Sequence, residues 1–357
     1  MAAWFPGHDY RRSWYTLDGT VPTPFDAVLV VSFGGPNGLD DIRPFLANVL
    51  RGRRVSPERV EEVAHHYEIF GGVSPITAIT RRQADGLHAR LRDAGLPLPV
   101  YVGMRNWHPY LADTLREMHA AGVRRAIGFI AAAQHSYSSC QQYRDNVEAA
   151  RAELRGQGTD VDVTFVGSWF DHPGFIAANA AHVRDALARL DAGLREGARL
   201  VCTAHSIPVP MAARSRYESQ LRESSRLVAQ AAGLEDWALV YQSRSGRPED
   251  PWLGPDVSAY LRAAKTEGLQ AAVVCPIGFV CDHIEVLYDL DREAAGVCAE
   301  IGLPMVRAES ANDDPRFLDM MADMVFRTIR LYERGRALPL APLAGAAESP
   351  GPPRPQA

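Results

Sequence analysis

Three carboxylates recur every four residues in the segment 274–293, VCPIGFVCDHIEVLYDLDRE: Glu285, Asp289 and Glu293. A four-residue step on an α-helix overshoots one turn by about 40°, so the three form a slowly rotating acidic stripe. Widening to a π-turn would straighten it, and such turns concentrate at functional sites. Like charges pointing one way repel, and a cation or solvent must relieve them. His283 stands two residues before Glu285, so one reading is a path for a divalent metal. Ca2+ and Mg2+ would take the oxygens, whereas Fe2+ and Zn2+ would take the imidazole as well. The other reading is a solvated helix face, because Asp291 and Arg292 sit beside the stripe.

His205, in Thr203-Ala204-His205-Ser206-Ile207-Pro208, is the second candidate. A neutral imidazole there could accept a proton or bind a metal; equally, it could cap a strand end by hydrogen bonds. Ser206 is no hydrolase nucleophile, since G-x-S-x-G is absent and Pro208 follows too soon. The five cysteines, Cys140, Cys202, Cys275, Cys281 and Cys298, are odd in number and include no C-x-x-C pair. That excludes a zinc ribbon and a small-domain disulfide framework. Cys275, Cys281 and Cys298 lie around the acidic stripe and Cys140 follows a loop. Those four could hold an iron–sulfur cluster, or be buried structural cysteines.

The elements that must position these groups alternate. Ala27–Ser32 (AVLVVS) reads as a buried strand running into Phe33-Gly34-Gly35-Pro36, where two glycines allow close backbone approach to a ligand. Further strands are expected at 100–103, 125–131, 162–166, 199–203, 237–242, 271–274 and 305–307. Helices are expected at 39–50, 77–93, 111–121, 178–194, 217–231, 257–267 and 315–332, with another between 136 and 162. Strand–helix alternation throughout predicts an α/β fold of doubly wound parallel sheets. The two halves form a loose pseudo-repeat. The first strand of each ends in a sharp loop (33–36; 205–208), and the third ends near a histidine, His135 or His283. Ligands of such sheets bind outside the carboxyl ends of the strands, so two domains facing each other would share one cleft and bring His205 towards Glu285. The expected limits are an irregular extension at 1–22, domains at 23–170 and 171–334, and a disordered Pro/Ala-rich tail at 335–357.

Two further features bear on ligands. Phe70-Gly71-Gly72-Val73-Ser74-Pro75-Ile76 is a second glycine-rich loop, matching neither a P-loop nor G-x-G-x-x-G. Arg51, Arg53 and Arg54 close the helix opened by Asp40 and Asp41; they suit its C-terminal dipole and would equally pair with substrate carboxylates. The 357 residues suffice for two domains, and a net charge of −5 offers no basic field for nucleic acid. No apolar run is long enough to span a bilayer, and the N-terminal residues lack a secretory pattern. A cytoplasmic enzyme or binding protein with reduced thiols is expected. The oligomeric state is not set by the sequence, which is compatible with a monomer.

Five motifs, FGGP (33–36), FGGVSPI (70–76), TAHSIP (203–208), YQSR with PWLGP (241–255) and CPIGFVCDHIEVLYDLD (275–291), together resemble the ferrochelatase family, which inserts ferrous iron into a porphyrin. The resemblance runs from about Phe25 to Tyr332. It is similar in style to enzymes of high-GC Gram-positive bacteria, many of which act on coproporphyrin III and not protoporphyrin IX. It implies two flavodoxin-like domains with the macrocycle between them. It also implies that His205 and Glu285 are catalytic and face each other across the porphyrin centre. With His205, the residues Glu285, Asp289 and Glu293 would be metal ligands, on a wider-than-α helix leading Fe2+ inward, which tips the stripe to the metal reading. Arg51, Arg53 or Arg54, and Ser74 would anchor propionates. Phe33, Ile76, Trp107 and Trp252 would pack on the ring, with Tyr143 and Ser243 as further porphyrin-binding candidates.

Some positions depart from the family pattern. Phe33 stands where the family varies between Tyr and Met and cannot ligate iron. The tail lacks cysteine, so a [2Fe–2S] cluster of the kind some bacterial relatives carry would have to use Cys140, Cys275, Cys281 and Cys298, with Cys202 packing inside its strand. Two rivals stand beside this reading. One is a cobalt-inserting chelatase of the vitamin B12 route, which usually lacks the FGGVSPI and PWLGP pair. The other is a tetrapyrrole-binding protein without turnover, which would need a cleft but no acidic stripe.

Overall fold

A computed structural model describes residues 22–52, 55–245 and 249–333. Arg53, Arg54, the expected tail and all but the last residue of the expected extension lie outside the described residues. Among those described, eight strands form two four-stranded sheets. The first contains β1 (Ala27–Ser32), β2 (Val100–Met104), β3 (Arg125–Ile130) and β4 (Asp162–Phe165), in the order β2-β1-β3-β4. The second contains β5 (Ala198–His205), β6 (Trp237–Gln242), β7 (Ala271–Cys275) and β8 (Met305–Arg307), in the order β6-β5-β7-β8. Every pairing is parallel, and the order repeats, as the pseudo-repeat required. β1 and β7 are buried along their whole length, which is why each reads as an unbroken apolar run.

The chain divides into two compact units that are not continuous in sequence. Among the described residues, one takes those up to Ala131, then Asp145–Val166, then 312–333; the other takes Ala132–Arg144 and Gly167–Ala311. In the first, the final helix, Pro315–Glu333, packs on helix Ile76–Asp93. Gly86 makes that approach possible, since a Cβ there would lie 2.5 Å from Leu318 Cδ1. A helix at Pro57–Ile69 was not expected; its signal was Ser56, whose hydroxyl accepts from Arg59 N, followed by Pro57 and Glu58 in the first turn. The helix expected at 178–194 starts earlier, at Pro173, because the His172 ring accepts from Gly174 N and caps it.

In the second unit, Val201, Val240, Ala272 and Val274 of the sheet pack against helix Val257–Thr266 and the helical run 284–300. From that run Val286, Leu290 and Ala294 are fully buried. They repeat every four residues, one position after Glu285, Asp289 and Glu293. Burying a Val or Leu contributes about 1.5–3 kcal/mol, whereas like charges four apart cost about 0.2–0.5 kcal/mol. Core packing therefore fixes the rotation of the helix and leaves the carboxylates aligned. No helix among the described residues is long and apolar enough to cross a membrane.

Candidate active site

β5 and β7 are neighbours at the centre of the second sheet, where chain connections diverge, the usual ligand-binding point of such folds. β5 extends two residues beyond the expected strand, so His205 is its last residue, in register with Gln242 of β6. The loop after β7 lies directly on the end of β5. Gly278 N donates to Thr203 O at 3.0 Å, and a Cβ on Gly278 would meet Ala204 Cβ at 2.5 Å. That approach delivers Glu285, on helix Ile284–Tyr288, to 3.5 Å from His205 (Oε1 to Nε2).

The imidazole is held in one tautomer. His205 Nδ1 lies on the carbonyl of Ser206; a carbonyl can only accept, so Nδ1 carries the proton, and in the neutral ring the lone pair of Nε2 faces Glu285. Glu285 Oε1 is itself buried without a hydrogen-bond partner among the described residues. Two acceptors are thus opposed with no donor between them, an arrangement that a proton or a cation relieves. The Tyr217 hydroxyl donates to His205 O at 3.0 Å, and burial raises its own pKa.

Outward from Glu285 the helix widens. Residues Asp289–Ala294 form a π-turn, as the four-residue spacing had suggested. Its i→i+5 turn lags where the α-turn leads, so the second step of the stripe undoes the drift of the first. Asp289 Oδ2 accepts from Gln242 Nε2 at 3.2 Å and, more closely, from the Ser243 hydroxyl. Ser243 sits at φ 60°, a left-handed conformation uncommon for a residue with a side chain. Burial, then the charges of Glu285 and Glu293, push Asp289 up to about 7 against those two hydrogen bonds. Glu293 is exposed at the outer end. His283 stands at the N-cap position without a side-chain capping bond; its Nδ1 lies 3.2 Å from Cys281 O, and burial lowers its pKa, which keeps the ring neutral.

The geometry corrects one expectation. An aromatic ring with atoms in contact on both faces needs about 7 Å between them, so His205 and Glu285, 3.5 Å apart, cannot flank a porphyrin. The glycine-rich loops of the first unit lie against each other. A Cβ on Gly35 would lie 2.6 Å from Ser74 Cβ, and Ser74 N donates to Pro36 O at 2.9 Å.

The iron–sulfur cysteines do not converge. The Cys275 thiol is engaged with Cys202, its partner across β5 and β7. Cys298 lies in the core 3.6 Å from Met305 Sδ, and Cys140 contacts His135 Nδ1. Among the described residues no group of three or more His, Cys, Asp or Glu side chains is gathered to hold a metal ion. These residues do not fit a four-thiol cluster, and the acidic stripe is not gathered into a cage.

The porphyrin candidates are scattered in role. Trp107 is buried with Phe45 and gives its indole N–H to Asp41 at 3.1 Å. Phe33 is half-buried, edge-on to Phe45, with the Arg105 guanidinium 6.0 Å from its ring centroid. Arg51 is exposed and donates to Asn48; Ser74, Ile76 and Tyr143 are buried. Trp252 is half-buried and lines a cavity of about 150 Å³ with Ser206, Gln242 and Arg244, too small for a macrocycle. Gln242, within the YQSR motif, supports Asp289 through strand adjacency that spacing does not reveal.

Residues 25–329 match the Ferrochelatase family model. The chain belongs to the ferrochelatase family. It is 50% identical over 303 residues to the ferrochelatase of Rhodopirellula baltica, covering 85% of this chain and 86% of that one. It is 46% identical over 333 residues to the coproporphyrin III ferrochelatase of Streptomyces griseus, covering 89% and 88%. The coproporphyrin III ferrochelatase of Mycolicibacterium smegmatis is 46% identical over 304 residues, covering 84% and 89%. Among solved structures, SirB from Bacillus subtilis with Fe3+ superposes with a TM-score of 0.53 at 10% identity, covering 88% of this chain and 99% of that one, a likeness of fold alone. This ferrochelatase is therefore an enzyme, a lyase that inserts metal into porphyrin in heme biosynthesis.

Proposed function

We propose that this enzyme inserts Fe2+ into coproporphyrin III, with His205 and Glu285 acting from one face of the ring. What carries the reading is the opposed lone pairs of His205 Nε2 and Glu285 Oε1 at the inner end of a straightened carboxylate row. A free-base porphyrin must lose two pyrrole protons as the ion enters. Glu293, Asp289 and Glu285 exchange the water around Fe2+ for carboxylate oxygen in steps, each offering too few oxygens to trap it. His205 Nε2 takes the first pyrrole proton. Glu285, relieved of the ion as it enters the ring, takes the second. Bending of the macrocycle by its remote contacts exposes a nitrogen lone pair and lowers the barrier.

The contacts to the macrocycle are proposed unit by unit: Phe33, Arg51, Ser74 and Ile76 in the first, Tyr143 and Trp252 in the second. Coproporphyrin III is preferred because relatives at 46% identity carry that substrate in their names. The family match favours neither a cobalt-inserting chelatase nor a binder without turnover. An iron–sulfur cluster forms no part of the reading, and purified, porphyrin-free protein should show no visible absorbance. Five cysteines outside any disulfide support a reducing compartment, and we place the reaction in the cytoplasm. The test is anaerobic turnover with Fe2+, comparing coproporphyrin III with protoporphyrin IX, for the parent and for Glu285→Gln. The variant should bind porphyrin nearly as the parent does and insert no iron; undiminished insertion would remove Glu285 from the mechanism.

A further inference from the structure

The straightened turn is tied from behind. Arg307, on β8, donates through Nη1 to Asp282 Oδ1 at 3.0 Å, and through Nε and Nη2 to the two oxygens of Asp291 at 2.7 and 3.0 Å. Asp282 precedes helix Ile284–Tyr288, and Asp291 lies inside the π-turn Asp289–Ala294. The side chains of Arg307 and Asp282 are only 13% and 12% exposed. Asp282 Oδ1 also accepts from Ser310 N at 3.2 Å and Ser310 Oγ at 2.9 Å, so that end is anchored. Residues two apart on a helix point to opposite sides. Asp291 is thus drawn away from the side on which Asp289 meets Gln242 and Ser243. A planar guanidinium serving two acids, one of them bidentately, fixes direction as well as distance.

We propose that Arg307 is a positioning residue for metal delivery, a strut from Asp282 to Asp291 that keeps the π-turn open. If the segment relaxed to a regular α-helix, Glu293 would rotate about 80° away from Glu285, and the outer station would leave the line. The proposal rests on the reading of the acidic row as the iron path.

The test is steady-state kinetics with the full chain, Fe2+ and porphyrin varied separately. Asp291→Asn removes the charge at the more exposed end and leaves the buried Asp282–Arg307 pair intact. We expect its KM for Fe2+ to rise about five-fold, the scale of losing one exposed bidentate pair, with the KM for porphyrin and the melting temperature unchanged. Asp291→Glu, which keeps the carboxylate, should restore the parent value. Arg307→Lys, which keeps the charge but cannot serve both acids, should reproduce the iron-selective rise. An unchanged KM for Fe2+ in Asp291→Asn, or an equal rise for both substrates, would overturn the proposal. Glu285→Gln run in parallel separates the two ideas. If it still inserts iron, the iron path itself fails; if it is inactive while Asp291→Asn is normal, only the strut fails.

Discussion

At the scale of single residues, Asp289 carries the largest consequence. Its acid form persists up to about 7 in the folded chain, against 3.8 in an unperturbed setting, because it is buried between two other carboxylates. Between those values the folded state binds more protons than the unfolded one. Stability therefore falls as pH rises through that window, and the cost is fully present above it. Replacing Asp289 with Asn should flatten the fall in melting temperature across that range and leave the variant more stable than the parent at pH 8; parallel melting curves would contradict this. In the parent, the KM for Fe2+ should drop as pH rises through 7, and in the variant it should not. Asp289 was legible from its spacing. Its environment was not, for Gln242 and Ser243 lie 47 and 46 residues earlier and reach it only because β6 and β5 are paired.

At the scale of elements, a glycine sets the distance on which the chemistry depends. Gly278 rests against Ala204 with no room for a methyl group, and the loop it belongs to leads to Glu285. Gly278→Ala should cost about 1–3 kcal/mol of stability by overpacking. It should also lower turnover, because lifting the loop widens the gap between Glu285 and His205. A melting temperature and turnover equal to the parent's would show that the loop yields without penalty. The π-turn could be read in advance because polar and apolar residues share a period of four. Helix Pro57–Ile69 escaped notice although Ser56, Pro57 and Glu58 announce a helix start, since its apolar positions are few and only Ala64 is buried. The 3.5 Å approach of His205 to Glu285 was beyond the sequence, which shows that two strand ends meet but not how far their side chains reach.

At the scale of the whole molecule, the first sheet depends on residues from the far end of the chain. Helix Pro315–Glu333 buries Phe317, Leu318, Met320, Met321 and Val325, and Arg90 and Arg82 pair with Asp319 and Asp313. Losing one such apolar side chain costs about 2–5 kcal/mol, and a domain has only about 5–15 kcal/mol to lose. A chain ending at residue 311 should leave helix Ile76–Asp93 open to protease and to amide exchange; parent-like protection there would refute the dependence. That both sheets are parallel was readable from the alternation of elements. Which sheet the last helix covers was not, because a linear reading groups neighbours along the chain.

That arrangement bears on how the protein is made. As a nascent chain leaves the ribosome, residues 167–311 emerge whole and can settle around β5–β8, while the sheet synthesised first waits, with one side uncovered, for the last helix to appear. The earlier half of the polypeptide is thus the later to mature. Whatever shields the face of helix Ile76–Asp93 around Gly86 in that interval bears on the yield of enzyme.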